Sequence, residues 1–375
     1  MLITMGYRVI WMAVVRGGGQ LKRIWKVLVL LVVALLTVYF WDDGFKENEP
    51  LESPVQPGTA ISGGEPFEQQ GMSNAKRPDK GISTVVGRSS DDLIKLYGEP
   101  DRKDLSVFGF EWWIYNANPM LMVGVAEGKV NQIYSADRKA DVYPYENGQS
   151  SEDIYRSTII ESELEVVVGE NQYTFVLNGD DVKNKMLIQS EGLFTQLYID
   201  EKGQQLEGVR FIDPMTLVMQ QPYDLFYKGD LVEVKKPSSV DQMAVDRALE
   251  RQILDITNIY RTNHEVGKLK RDYQLQLVAR EHSKEMALQN YFSQDSPTSG
   301  TLANRLDVAG INVKKAGENI ALNYTDAIEA VHGWLNSPAH QEVLLDKNFT
   351  HIGTGVYGNY YTQNLVQEVE KPDRP

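Results

Sequence analysis

The sequence predicts an α+β protein in which helices pack over antiparallel sheets. Three observations predict it: a C-terminal third with apolar residues at helical spacing, a closing pair of extended runs around Gly358-Asn359, and a middle region that writes one helix-plus-strands unit twice. The 375 residues suffice for about two to three domains. With 38 Lys+Arg against 52 Asp+Glu, a net charge of −14 and 42% hydrophobic residues, the chain can build real cores. No basic surplus exists to neutralise phosphates, which argues against nucleic acid. The lack of cysteine excludes disulfides, thiolate zinc sites, a cysteine nucleophile and a lipidated cysteine anchor.

The N-terminus reads as a membrane anchor. Arg8, Arg16, Lys22, Arg23 and Lys26 precede an apolar run at 27–41 (VLVLLVVALLTVYFW), and Asp42-Asp43 follow it. With Ile24 and Trp25 included and Lys26 snorkelling, 24–41 is just long enough to span a bilayer, and the charge order places the C-terminal bulk outside the cytoplasm. Cleavage as a signal peptide would need small residues where Val38, Tyr39, Phe40 and Trp41 stand, so the anchor is read as uncleaved. Residues 1–23 form the basic cytoplasmic end. Within it Arg16-Gly17-Gly18-Gly19 has the form of a translated purine-rich ribosome-binding site, which points to a start at Leu21.

Residues 42–81 hold Pro50, Pro54, Pro57, Pro66 and Pro78 among polar residues and read as a disordered linker. The middle domain follows at 82–234. Gly87-Arg-Ser-Ser-Asp-Asp-Leu93 is echoed by Gly148-Gln-Ser-Ser-Glu-Asp-Ile154, each a serine cap followed by acids at a helix start. Strands are expected at 110–115, 121–126 and 130–135 in one copy, and at 173–177, 194–199 and 206–212 in the other, forming small antiparallel sheets. With no histidine and its acids at turns, the region reads as structural; Trp112, Trp113, Tyr115, Tyr134, Tyr143 and Tyr145 read as sheet core rather than a sugar platform.

From Asp241 to about residue 371 the pattern is helical, then extended. Leu249, Ile253, Ile256 and Tyr260 form one apolar stripe; Leu275, Val278, His282 and Met286 form a second on a helix over 273–289. A third helix is expected after Thr325 as its cap, with Ile328, Val331 and Leu335 inward, ending before Pro338; strands 352–357 and 360–369 close the chain.

These stretches resemble the CAP superfamily of cysteine-rich secretory, antigen 5 and pathogenesis-related proteins. The resemblance rests on 277–286 (LVAREHSKEM), 290–293 (NYFS), 317–321 (GENIA), 334–340 (WLNSPAH), 349–356 (FTHIGTGV) and 361–363 (YTQ), in family order and spacing. Lack of cysteine and the Asn-Ser-Pro form are similar to the bacterial branch. The middle region resembles the CAP-associated domain through its Gly-Arg-Ser-Ser-Asp and Tyr-Gly-Glu-Pro stretches. The resemblance implies a three-layer α-β-α sandwich with a cleft on one side, which in many members holds two His and two Glu able to bind a divalent metal.

Residue by residue, Glu318 and His340 match two of those four positions, whereas Gln294 stands for a His and Ser337 for a Glu. Glu318 and His340 are therefore weak metal candidates. Zinc would need a third ligand, and His282, on an apolar helix face, is the one at hand. No tightly bound metal and no cofactor is expected. Glu318, His340, His282, Gln294, Asn319 and Ser337 are the expected cleft residues, with Glu318 paired to His340 or to backbone. His332 reads as structural or exposed, and His264 and His351 as surface. No nucleophile elbow, His-Glu-x-x-His or P-loop occurs, so no catalytic residue is assigned.

The expected protein is a single-pass cell-membrane protein with extracytoplasmic domains. Its cleft would bind a small molecule, lipid, peptide or cell-wall fragment, with the middle domain as spacer or partner platform. The alternative is a hydrolase of peptide or cell-wall material acting through Glu318 and His340 as an acid/base pair.

Overall fold

A computed structural model describes residues 45–55, 59–62 and 75–368. The expected anchor at 24–41 lies outside the described residues, and among the described residues no helix is long and apolar enough to cross a membrane.

The stretch expected to be a disordered linker is partly ordered by strand pairing. β1 (Phe45–Glu47) and β2 (Leu51–Glu52) run parallel along one edge of a C-terminal strand, and β3 (Ile61–Ser62) joins a sheet of the middle region. A sheet edge offers hydrogen bonds to any extended backbone. The segment therefore orders without the apolar periodicity whose absence suggested disorder.

The first copy of the middle unit comprises α1 (Ser90–Tyr97), β4 (Arg102–Leu105), β5 (Glu111–Tyr115), β6 (Leu121–Ala126) and β7 (Lys129–Ser135). The second comprises α2 (Ser151–Ser157), β8 (Glu163–Val168), β9 (Asn171–Val176), α3 (Gly179–Asn184), β10 (Lys185–Ser190), β11 (Leu193–Asp200) and β12 (Gln205–Ile212), followed by α4 (Pro214–Gln220) and β13 (Asp224–Lys228). The two echoed serines do the same work: Ser89 accepts from Asp92 N at 3.1 Å and Ser150 from Asp153 N at 3.2 Å. The copies do not keep separate small sheets. β12 pairs antiparallel with β7, fusing them into one seven-stranded sheet of order β10-β11-β12-β7-β6-β5-β4. A four-stranded sheet, β3-β13-β9-β8, packs against it through a buried cluster that joins Leu164, Phe175 and Leu225 to Leu187, Phe194 and Ile212.

The C-terminal region begins with α5 (Ser239–Asn263), β14 (Lys270–Arg271), α6 (Tyr273–Gln289) and α7 (Leu302–Val308). It continues with β15 (Val313–Leu322), α8 (Ala327–Leu335), α9 (Pro338–Leu344), β16 (His351–Tyr357) and β17 (Tyr360–Glu368). Asp326, not Thr325, caps α8, accepting from Glu329 N at 3.0 Å. The central sheet runs β1-β15-β17-β16-β14, with β2 further along β15. Its two faces are covered by different helices. Thr354 donates to Glu250 O of α5 at 2.8 Å, whereas its neighbours Gly353 and Gly355 face α6 so closely that a Cβ would lie 2.3 and 2.2 Å from that helix's backbone. This is the expected α-β-α sandwich.

One core joins the middle and C-terminal regions. Phe110, Trp112, Met122 and Tyr134 pack with Ile256, Tyr260, Val331 and Trp334 in a single buried cluster. Of the expected aromatic residues, Trp112, Trp113, Tyr115 and Tyr134 are buried in sheet cores and Tyr145 is partly buried against one, whereas Tyr143, in the loop after β7, is exposed. Ion pairs cross the same boundary: Arg210 to Asp326 at 2.8 Å, Lys185 to Glu329 at 2.9 Å, and Arg102 to Asp255 at 2.7 Å. Glu329 also accepts from the Tyr198 hydroxyl at 2.8 Å. A spacer that moves freely is not what such a seam makes; the middle region braces the sandwich.

Removing Asp326 leaves the fully buried Arg210 guanidinium without its carboxylate. We expect Asp326→Ala to lower stability by about 3–5 kcal/mol in denaturant unfolding. Reporters in both regions should move in one transition, because the shared core couples them. Two separated transitions in the wild type would contradict a common core.

Candidate functional site

Strand β15 carries the expected Glu318 and Asn319 in its middle, where both side chains are fully buried. Consecutive strand residues point to opposite faces, so these two open onto different surroundings.

Glu318 faces α6 and α7. Its Oε1 accepts from Arg305 Nη2 of α7 at 2.8 Å, and His282 Nε2 of α6 stands 3.9 Å from the same oxygen. Arg305 also donates to the Gln294 carbonyl at 3.1 Å, tying the loop after α6 to the pair. Burial pushes the Glu318 carboxyl above the usual range, and the Arg305 charge pulls against it. Burial first, and then Arg305, push the His282 imidazole down to about 3, so it is neutral at physiological pH. Around this pair the Gln294 amide, Glu318 Oε2 and Arg305 Nη1 are buried without a hydrogen-bond partner, while His282 meets the Ser293 backbone and the Tyr291 hydroxyl meets the Ser296 side chain.

His340 belongs to the other face. Asn319 Nδ2 donates to the His340 carbonyl at 3.2 Å and to Gln363 Oε1 at 3.2 Å, while Gln363 donates to Thr257 of α5 at 2.9 Å. The His340 ring meets Ser337 Oγ through Nδ1 at 2.8 Å. Burial drives its pKa down to about 4, opposed by the Glu49 backbone of the segment lying on β15. That segment also reaches Asn319 directly, Asn48 Nδ2 donating to its Oδ1 at 2.7 Å.

The expected residues are thus all placed, but in two groups. Glu318, His282 and Gln294 share one face of the strand; Asn319, His340 and Ser337 share the other. The expected Glu318–His340 pair is replaced by Glu318–Arg305 and His340–Ser337; among the described residues no hydrogen bond or ion pair joins Glu318 to His340. Arg305 was the residue that sequence reasoning missed. Its position on an amphipathic turn, with Leu302 and Leu306 buried beside it, is the only local signal that it points inward.

The remaining histidines have structural partners. His332 is buried at the seam, its Nε2 2.8 Å from the Asn184 carbonyl, with burial pushing its pKa down to about 4. His264, expected on the surface, lies 3.0 Å from the buried Glu207, whose hydrogen bond raises its pKa. Among the described residues, Asp200, Glu207 and His264 form the one trio of ligand atoms within 4.8 Å of one another. Its carboxylates are already served by Gln341 on Asp200 and by Gln205 and Asn263 on Glu207. The trio therefore reads as a clasp between regions.

A sandwich with this Gly-Glu-Asn strand, braced by a preceding α+β region, defines a CAP-domain protein. The profile described as CAP-associated N-terminal matches residues 86–223, and that of the cysteine-rich secretory protein family matches 254–369. The membrane protein YlbC of Bacillus subtilis is 31% identical over 349 residues, spanning 92% of this chain and 99% of its own. The chain belongs to the cysteine-rich secretory protein (CAP) family, in the form that carries a CAP-associated N-terminal domain. YkwD of Bacillus subtilis is 37% identical over 132 residues, covering 35% of this chain and 49% of that protein. An extracellular SCP-domain protein from Bacillus anthracis superposes with a TM-score of 0.74 at 36% identity, over 80% of this chain and 100% of that one. A cysteine-rich secretory protein of Staphylococcus aureus shares the fold, with a TM-score of 0.73 at 22% identity, over 86% of this chain and 99% of that one.

The metal that the family can bind does not fit these residues. Gln294 and Ser337 are poor zinc donors, the His340 ring is engaged by Ser337 and not by Glu318, and the Arg305 guanidinium already supplies the positive charge that a cation would bring to Glu318.

The depressed pKa of His340 carries a sign. An unfolded imidazole takes up its proton near pH 6.5, while the folded one resists until about 4. Its contribution to stability is therefore complete above about pH 6.5 and falls as pH drops toward 4. We expect the His340 ring signals in NMR to show a neutral imidazole at pH 5.5. His340→Gln should flatten the loss of unfolding free energy between pH 6.5 and 4 by up to about 1.4 kcal/mol per pH unit.

Proposed function

We propose that this protein is anchored in the cell membrane by 24–41, and that its CAP and CAP-associated domains stand outside the cytoplasm as a ligand-binding module of the envelope. Basic residues before the apolar run and acidic ones after it support the orientation. So do relatives described as a membrane protein and as an extracellular protein.

The cluster of buried, unpartnered polar atoms of Gln294, Glu318 and Arg305 carries the binding reading. Native interiors pair nearly all such atoms, so a site that keeps donors and acceptors open is suited to a polar ligand. A peptide, a cell-wall fragment or a headgroup offers that chemistry. The same geometry disfavours hydrolysis. Glu318 is engaged by Arg305, and His340, which would have to exchange protons with it, is held on the other face by Ser337. The hydrolase reading needs a rearrangement that joins the two.

The test is to incubate the purified full chain with envelope material and follow released products. We expect no turnover, and saturable binding weakened at least ten-fold by Gln294→Leu. Turnover that disappears in Glu318→Gln would overturn the binding reading in favour of the hydrolase. For topology, protease applied to intact cells with a permeable wall should remove everything beyond about residue 42; protection of the C-terminal region until lysis would refute the orientation.

A further inference from the structure

Residues 45–53 lie along the edge of β15 as a ligand would. Phe45, Lys46 and Glu47 pair with Ala316, Gly317 and Glu318; Leu51 and Glu52 pair with Ala321 and Leu322; Ser53 N donates to Leu322 O at 2.9 Å. Between the two paired stretches, Asn48 reaches Asn319 Oδ1 at 2.7 Å and the Glu318 carbonyl at 3.4 Å. The Glu49 backbone faces the His340 ring, and Leu51 packs against the core shared by the two regions. An amide side chain at one position and an aliphatic one three residues later thus read two fixed features of the edge.

We propose that the β15 edge is a binding site for an extended peptide, and that residues 45–53 are its built-in occupant, which a competing strand displaces. The inference rests on the CAP region being a binding module.

Two observations separate this segment from an ordinary sheet strand. First, its attachment is weak. The paired stretches are three and two residues long, parallel, and interrupted by Pro50, which has no N–H to give. Glu49, Pro50 and Glu52 are exposed. Such an element opens locally at far less cost than global unfolding. Second, what lies beneath it is polar and prepared. Asn319 is fully buried, its amide positioned by Gln363 and the His340 carbonyl, and the buried His340 ring, held by Ser337, turns to the Glu49 backbone of the segment. An edge meant only to be sealed would be covered more cheaply by apolar side chains.

Strand addition explains how such a site selects. Main-chain pairing supplies affinity to any extended chain, and the side-chain positions supply the choice. The tethered segment competes at an effective concentration of about millimolar, so a free peptide must outbid it or arrive where it has been pulled away.

The probe is a fluorescein-labelled peptide of residues 44–54 (GFKENEPLESP), followed by anisotropy with the full chain in detergent. In the double variant Leu51→Asp/Ser53→Pro, the core contact and the hydrogen bond to Leu322 are lost and the edge is released. We expect at least ten-fold tighter peptide binding to this variant than to the wild type, and at least ten-fold weaker binding of a peptide with Asp for Asn at the position of Asn48. Release also lifts the burial of His340, so its pKa should rise from about 4 toward 6.5. Equal affinity for wild type and variant, or no binding to a variant that melts within a few degrees of the wild type, would overturn the proposal. Hydrogen exchange on the wild type needs no variant: residues 45–53 should exchange well before 360–368, and equal protection of the two would also defeat it. The probe requires neither bilayer nor envelope material, so this proposal and the envelope reading can fail independently.

Discussion

Everything about the C-terminal region follows from burying a polar strand. β15 has helices over both faces and chain paired along both edges, yet two of its central residues are a glutamate and an asparagine. A charge and an amide in that position must be compensated by groups brought from elsewhere, because neither water nor the strand itself can do it. Arg305 answers Glu318 from one side. Gln363 and the His340 carbonyl answer Asn319 from the other. Helix α7, the Ser337–His340 turn and the β17 register are therefore fixed by the same requirement.

That compensation also sets the chemistry. One oxygen of the Glu318 carboxylate is occupied by the Arg305 guanidinium, which leaves it a poor metal ligand, and a neutral imidazole pushed far below its ordinary pKa is a poor proton donor. The arrangement keeps the family's Gly-Glu-Asn strand while engaging Glu318 with Arg305 and the His340 ring with Ser337.

The middle region matters because it does not move independently. Trp112 and Tyr134 enter the same core as Tyr260 and Trp334, and Arg210 and Lys185 meet the acids at the start of α8. Helix α8 leads directly into Ser337 and α9, so the brace holds the turn on which His340 sits. Extra sheet area has been spent on rigidity at the site, at the cost of any hinge between the two regions.

The sequence by itself determined the local elements. Apolar spacing located α5, α6 and α8; paired serine–acid caps located α1 and α2; the Gly358-Asn359 turn located the closing hairpin; and family motifs placed Glu318, Asn319, His340, Gln294 and Ser337 near one strand and one helix start. These are signals written within a turn or two of the chain, where period and capping act. What only the tertiary structure decided was long-range. It decided that Glu318 takes Arg305 and not His340, that two sheet copies fuse through β7 and β12, that His264 is drawn onto a buried Glu207, and that residues 45–53 leave the linker for a sheet edge. The physical reason is common to all four. The partner of a buried charge or an unpaired strand edge is set by where elements meet in space, and no local periodicity records that meeting.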